Sequence, residues 1–160
     1  MSFNCTTCGE QHSDLPHIGF DAPLQWCDEL AHDPRSLLTS DLCIIEERDY
    51  FVHGVIEIPV HDYEQGFGWG VWVSHKKENF EIYRANFESA EIGPFFGWLC
   101  NEIAYYSRPT GNLKTMAHYQ GGKLRPRILV EPSDHPLYLQ QRDGISFDEA
   151  WKIVHACQPY

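Results

Sequence analysis

Two thiols separated by two residues and followed by glycine, Cys5-Thr6-Thr7-Cys8-Gly9, form the segment of this chain best suited to chemistry. A turn of that length brings both sulfurs to one ion about 2.3 Å away, which is half of a zinc knuckle. Gly9 supplies the permissive backbone that such a turn needs. His12 follows closely enough to be a third ligand as the loop returns to the metal. The rival chemistry is a redox dithiol. That motif normally opens a helix after a strand in a βαβ unit, and Cys5-x2-Cys8 has no such context.

A second constellation lies toward the other end. Asp134-His135-Pro136 sets a carboxylate beside an imidazole, with Arg125 and Arg127 close in sequence. Together they outline a general acid/base pair with an anion clamp, as a small hydrolase or transferase would need. The same segment also reads as a turn, because Pro132, Ser133, Asp134 and Pro136 are loop residues. No nucleophile elbow, glycine-rich phosphate loop or His-Glu-x2-His motif accompanies it. The aromatic runs Phe67-Gly68-Trp69-Gly70-Val71-Trp72 and Phe95-Phe96-Gly97-Trp98 offer walls for a ligand groove, or buried core. Trp98, Arg125 and His135 are therefore the candidate ligand-binding residues.

Charge narrows the partners. Twelve basic residues face 23 acidic ones, for a net charge of −11. Phosphate contacts dominate nucleic-acid binding, and this composition supplies them poorly. Residues 1–34 contain no Lys or Arg at all, unlike the surroundings of a nucleic-acid-binding zinc ribbon. The expectation is no nucleic acid, no membrane, and a basic protein as the natural partner of an acidic domain. No apolar run approaches a bilayer span and no signal peptide is readable, so a cytoplasmic location is expected. The six cysteines are then expected to be reduced.

These groups need elements to position them. At 160 residues the chain suits a single domain with a real core, divided here into a metal-binding arm (1–34) and a body (35–160). Residues 23–31 read as a short helix. Strands are expected over 42–47, 50–60 and 68–74, with the link Arg48-Asp49 suiting a hairpin. A helix capped by Ser74 should follow, carrying Phe80, Tyr83, Ala85 and Phe87 on one stripe. Residues 94–103 read as a second short helix. Strands over 113–120 and 127–131 flank a Gly121-Gly122 turn. Ser146 and Glu149 form a capping box for a last helix with Ala150, Ile153, Val154 and Cys157 inward. The predicted class is α+β: an antiparallel sheet with packed helices and an N-terminal zinc-knuckle arm.

The motifs resemble DUF2199, a family of uncharacterised bacterial proteins. The matching segments run from Cys5-x2-Cys8-Gly9-x2-His12-x2-Leu15-Pro16 through Ser40-Asp41-Leu42-Cys43 to His53-Gly54-Val55-Ile56-Glu57-Ile58-Pro59. They continue with Trp69-Gly70-Val71-Trp72-Val73-Ser74, Glu78-Asn79-Phe80, Phe96-Gly97-Trp98-Leu99-Cys100-Asn101, Leu124-Arg125-Pro126-Arg127 and Asp134-His135-Pro136-Leu137. The resemblance brings no activity. It implies that Cys43 lies beside the knuckle, so the expected structural zinc is held by Cys5, Cys8, His12 and Cys43, with Cys27 and His17 as substitutes. The competing reading of Cys43 is a buried core thiol. His53 stands where the family pattern has Arg, which removes any permanent charge from that position. The expected function is recognition by a zinc-stapled binding module; the alternative is a small hydrolase or transferase built on Asp134, His135 and Arg125.

Overall fold

The computed structural model describes residues 14–157, together with the backbone of Phe3–Asn4 and Gln11–His12. Among these residues the architecture is α+β, with three α-helices and a large, mostly antiparallel sheet. Two short strands, β1 (Phe3–Asn4) and β2 (Gln11–His12), pair antiparallel, with Phe3 opposite His12. Strand β3 (Ile18–Gly19) joins the main sheet, which continues with β4 (Leu37–Leu38), β5 (Leu42–Ile45), β6 (Asp49–Val60) and β7 (Tyr63–His75). Helix α1 (Lys77–Ala85) is followed by β8 (Phe95–Trp98), β9 (Lys114–His118) and β10 (Arg127–Val130), then α2 (Pro136–Asp143) and α3 (Phe147–Cys157).

The two long strands organise everything else. β6 and β7 are an antiparallel hairpin in register from Tyr50↔His75 to Ile58↔Phe67. Their alternation sorts side chains to two faces. Val52, Ile56, Ile58, Phe67, Trp69, Val71 and Val73 enter the main core, which α1 completes with Phe80 and Tyr83 and α3 with Ala150, Ile153 and Val154. Phe51 and Trp72 enter a second, smaller cluster with Cys43, Ile45 and Cys100. Phe20, Trp26, Leu30 and Leu38 cover that cluster, so the stretch from Phe20 to Leu38 is built into the body.

The far edge of β6 changes partner along its length. β5 pairs with residues 49–52, β10 pairs at Val55, and Ile145 bridges to Val60. The β10 and β3 pairings are parallel, which is why the sheet is not wholly antiparallel. From β10 the sheet runs through β9 to β8, and then bends back: Leu99 bridges to Val73 of β7, and the Trp98 N–H donates to Ser74 Oγ at 3.0 Å. The sheet β7-β6-β10-β9-β8 thus closes on itself. Gly97 permits the closure. A Cβ there would lie 2.3 Å from the Ser74 carbonyl oxygen.

Several expectations are corrected. Residues 94–103 hold strand β8 instead of a helix, because Phe95 faces inward and Phe96 outward, a period of two, and the segment is needed to close the sheet. Ser74 is a β7 residue; α1 begins later, with Lys76 as its N-cap. Residues 23–31 give only a 3-10 turn over Asp28–His32. The expected capping box is half present: Ser146 Oγ accepts from the Glu149 N–H at 3.0 Å, but the Glu149 carboxylate turns to the Tyr105 hydroxyl instead. Helix α2 is an element the sequence reading assigned to a turn. No helix among the described residues is long and apolar enough to cross a membrane.

Candidate functional site

The outer face of β8, β9 and β10 is built by simple alternation. Thr115, Ala117, Ile128 and Val130 point inward and are buried. Their neighbours point out. Register places Phe96 beside Met116, and Met116 beside Leu129. This apolar row crosses all three strands, with Phe96 at 38% exposure and Leu129 at 42%. Trp98, 43% exposed, stands edge-on to Phe96 with ring centroids 5.0 Å apart. Contiguous exposed apolar surface of this kind marks interaction sites in soluble proteins.

Two polar rows flank it. On one side Trp98 lies beside Lys114, whose carbonyl accepts from the Glu131 N–H at 2.9 Å. On the other, His118 lies beside Arg127. Against Met116 and Leu129, helix α2 leaves a groove of about 400 Å³, walled by Pro132 and by Tyr138, over which Arg142 is stacked. Beyond Trp98 a second cleft of about 400 Å³ opens between the ends of β6 and β7. Its floor includes Tyr50, His75 and Cys100, and its rim carries Arg48, Lys76 and Lys77. His75 is buried. Its Nδ1–H donates to the Ser74 carbonyl at 2.6 Å, leaving Nε2 to accept from the Tyr119 hydroxyl. Burial holds its pKa down at about 4, so the ring is neutral at physiological pH.

The three ligand-binding candidates are placed in different surroundings. Trp98 belongs to the surface just described. Arg125 fills the point where the β6 edge passes from β5 to β10: its Nε–H donates to Asp41 Oδ1 at 3.1 Å and an Nη2–H to the Ser40 carbonyl at 3.2 Å. His53 donates its Nδ1–H to the same carbonyl at 2.9 Å and stacks on Trp72, centroids 4.5 Å apart. Its Nε2 has no hydrogen-bond partner among the described residues, and burial lowers its pKa, so the ring is neutral. His135 is 2% exposed and is the N-cap of α2. Its Nδ1 accepts from the Leu137 N–H at 3.0 Å, so Nε2 carries the proton and donates to the Pro109 carbonyl at 3.0 Å. Asp134 is turned outward onto Arg108, and that guanidinium holds its carboxyl below the usual range. Among the described residues, no hydrogen bond or ion pair joins Asp134, His135 and Arg125 to one another. His135 has no free nitrogen with which to move a proton.

Of the metal candidates, Cys5, Cys8 and the side chain of His12 lie outside the described residues. The β1–β2 pairing joins the two ends of the segment that carries both cysteines, and His12 is on its return strand. Cys43 is fully buried among Ile45, Phe51, Trp72 and Cys100, and burial pushes its thiol up to about 12. That is the environment of a core thiol. Among the described residues, no three His, Cys, Asp or Glu side chains gather to hold a metal.

The residues that the sequence reading missed are Met116 and Leu129; Phe96 stood there only within an aromatic run that offered a groove wall or buried core. The available signal was apolar character on both faces of a strand, as in Arg127-Ile128-Leu129-Val130, where one face alone fills the core. A family described as an uncharacterized protein conserved in bacteria (DUF2199) matches residues 4–145. No curated protein and no solved structure matches the chain.

Proposed function

The chain belongs to the DUF2199 family, whose description assigns no activity, and we propose that it is a recognition module that binds a partner on the outer face of β8, β9 and β10. One observation carries this reading: the apolar row Phe96–Met116–Leu129, with Trp98 at its side, lies on the outer face of the closed sheet, Phe96 and Leu129 exposed and Met116 half-buried between them. The alternative hydrolase has less support, since its histidine is spent on capping α2 and its arginine on Asp41. The test is co-precipitation from the native cell with wild-type protein, Leu129→Glu and Phe96→Asp. A stoichiometric partner retained by the wild type and lost by both folded variants is the expected result. An unchanged set of captured proteins, together with ester or phosphate turnover abolished by Arg125→Gln, would overturn it.

The proposal includes a structural zinc held by Cys5 and Cys8, with His12 and Cys43 completing a tetrahedron. The β1–β2 pairing supports the first three ligands, while the burial of Cys43 among apolar groups weighs against the fourth. Purified protein is expected to carry about one equivalent of zinc, lost in Cys5→Ser and Cys8→Ser. Elemental analysis showing less than about half an equivalent would refute the site, and full zinc in Cys43→Ala would leave Cys43 to the core alone.

A further inference from the structure

Net charge pointed to a basic partner, but the charges on the face itself point the other way. Lys76, Lys77, Lys114 and Arg127 have no carboxylate within ion-pair distance among the described residues. Arg35, Arg84, Arg108, Lys123 and Arg125 each pair with an acid, as do Arg48 at the cleft and Arg142 at the groove. Four of the five cations with no such pair among the described residues thus lie around one surface: Lys114, with Glu131 beside it, and Arg127 on the polar rows, and Lys76 and Lys77 on the cleft beyond Trp98; the fifth, Lys152, is on α3.

The face also has dimensions. Neighbouring strands lie about 4.8 Å apart, so the row from Phe96 to Leu129 is about 10 Å long. The flanking rows are two residues away along each strand, about 7 Å to either side. A helix that presents apolar residues at i, i+3 or i+4, and i+7 covers about 10 Å along its axis. Laid along the row, it sets its own flanks over Lys114 and Glu131 on one side and over Arg127 with His118 on the other, so its carboxylates belong over Lys114 and Arg127 and not over Glu131. Strand addition is not open here, because β8 is paired on one edge with β9 and held on the other by Ser74 and Val73.

Resting on the recognition reading above, we infer that this face docks an amphipathic helix of a partner protein, with leucine-like residues on Phe96, Met116 and Leu129 and carboxylates flanking them. A second copy of this chain fits poorly, since face-to-face packing opposes like charges and adds two bodies of net charge −11.

The probes are three synthetic helical peptides of about 18 residues. All carry one leucine stripe, flanked by Glu in the first, Gln in the second and Lys in the third. The Glu peptide is expected to bind at least about tenfold more tightly than the Gln peptide, and the Lys peptide more weakly still, with affinity falling as salt rises. Lys114→Glu combined with Arg127→Glu should invert that order, and Leu129→Glu should abolish binding by every peptide. Circular dichroism verifies that each exposed-site variant is folded. If the Gln or Lys peptide binds as tightly as the Glu peptide while Leu129→Glu still abolishes binding, the acidic-helix inference falls and the face remains a recognition site. If Leu129→Glu leaves bound peptides unaffected, both fall. Absence of binding at about 1 mM peptide also overturns the helix inference. So would a dimer, or association with vesicles of about 30% phosphatidylserine, that disappears in Leu129→Glu.

Discussion

Gly97→Ala is expected to destabilise the protein by about 3 kcal/mol and to weaken partner binding with it. The added carbon would lie 2.3 Å from the Ser74 carbonyl oxygen and 3.1 Å from Val73 Cβ. The first contact is with backbone, so no side-chain rotation relieves it. β8 must move away from β7, which strains the Val73↔Leu99 bridge and the hydrogen bond from the Trp98 N–H to Ser74 Oγ. Phe96 and Trp98 ride on that strand and lose their register with Met116 and Lys114. Urea unfolding gives the stability, and amide exchange at Trp98 and Leu99 reports the opening. Gly19→Ala is the control: its added carbon meets nothing nearer than 3.8 Å, so the cost should stay within about 0.5 kcal/mol. Equal costs for the two variants would refute this account of how the sheet closes.

Acid is expected to weaken the fold well before its carboxylates titrate, chiefly through His75. Folded, the ring is held neutral by burial with a pKa of about 4; unfolded, it titrates near 6.5. Above pH 6.5 neither state carries the proton, and stability is complete. As pH falls from 6.5 toward 4, the unfolded chain takes up a proton that the folded chain refuses, so stability declines by up to about 3 kcal/mol. His53, also lowered by burial, adds to the same slope. Below that window the lowered carboxyls of Asp33, Asp134 and Asp143 lose their own contribution as they protonate. Urea midpoints measured from pH 7.5 to 4.5 test this. His75→Gln, which can still accept from Tyr119, should flatten most of the slope; an unchanged slope would assign it to other groups.

The recognition surface ties these effects to function. It depends on a closed sheet, and closure depends on a glycine, a serine hydroxyl and one bridge outside the regular ladders. It does not depend on Asp134, His135 and Arg125 acting together. His135 serves stability, joining α2 to the loop at Arg108 and Pro109 through both ring nitrogens. Arg125 serves it too, bridging β10's approach to Asp41 where the β6 edge changes partner.

By itself the sequence determined the elements whose cause is local. The β-branched and aromatic residues of Tyr50–Val60 specified a long strand, and Trp69 and Val71 do face away from Trp72. Ser146 specified the start of α3, because an N-cap needs only a hydroxyl and the backbone three residues on. The Asp134–Pro136 segment carried its turn chemistry legibly, and α2 grows from it. Tertiary structure decided what depends on distant partners. Phe95–Trp98 is too short to distinguish helix from strand by periodicity, and it became a strand because β7 and β9 supply its hydrogen bonds. The Asp134, His135 and Arg125 constellation was adjacent only along the chain; in space Asp134, His135 and Arg125 each found a nearer partner. The exposed row is the clearest case. Nothing in Phe96, Met116 and Leu129 separately marks them as surface, and they form one apolar line only because β8, β9 and β10 pair in this register, with the inward positions already filling the core.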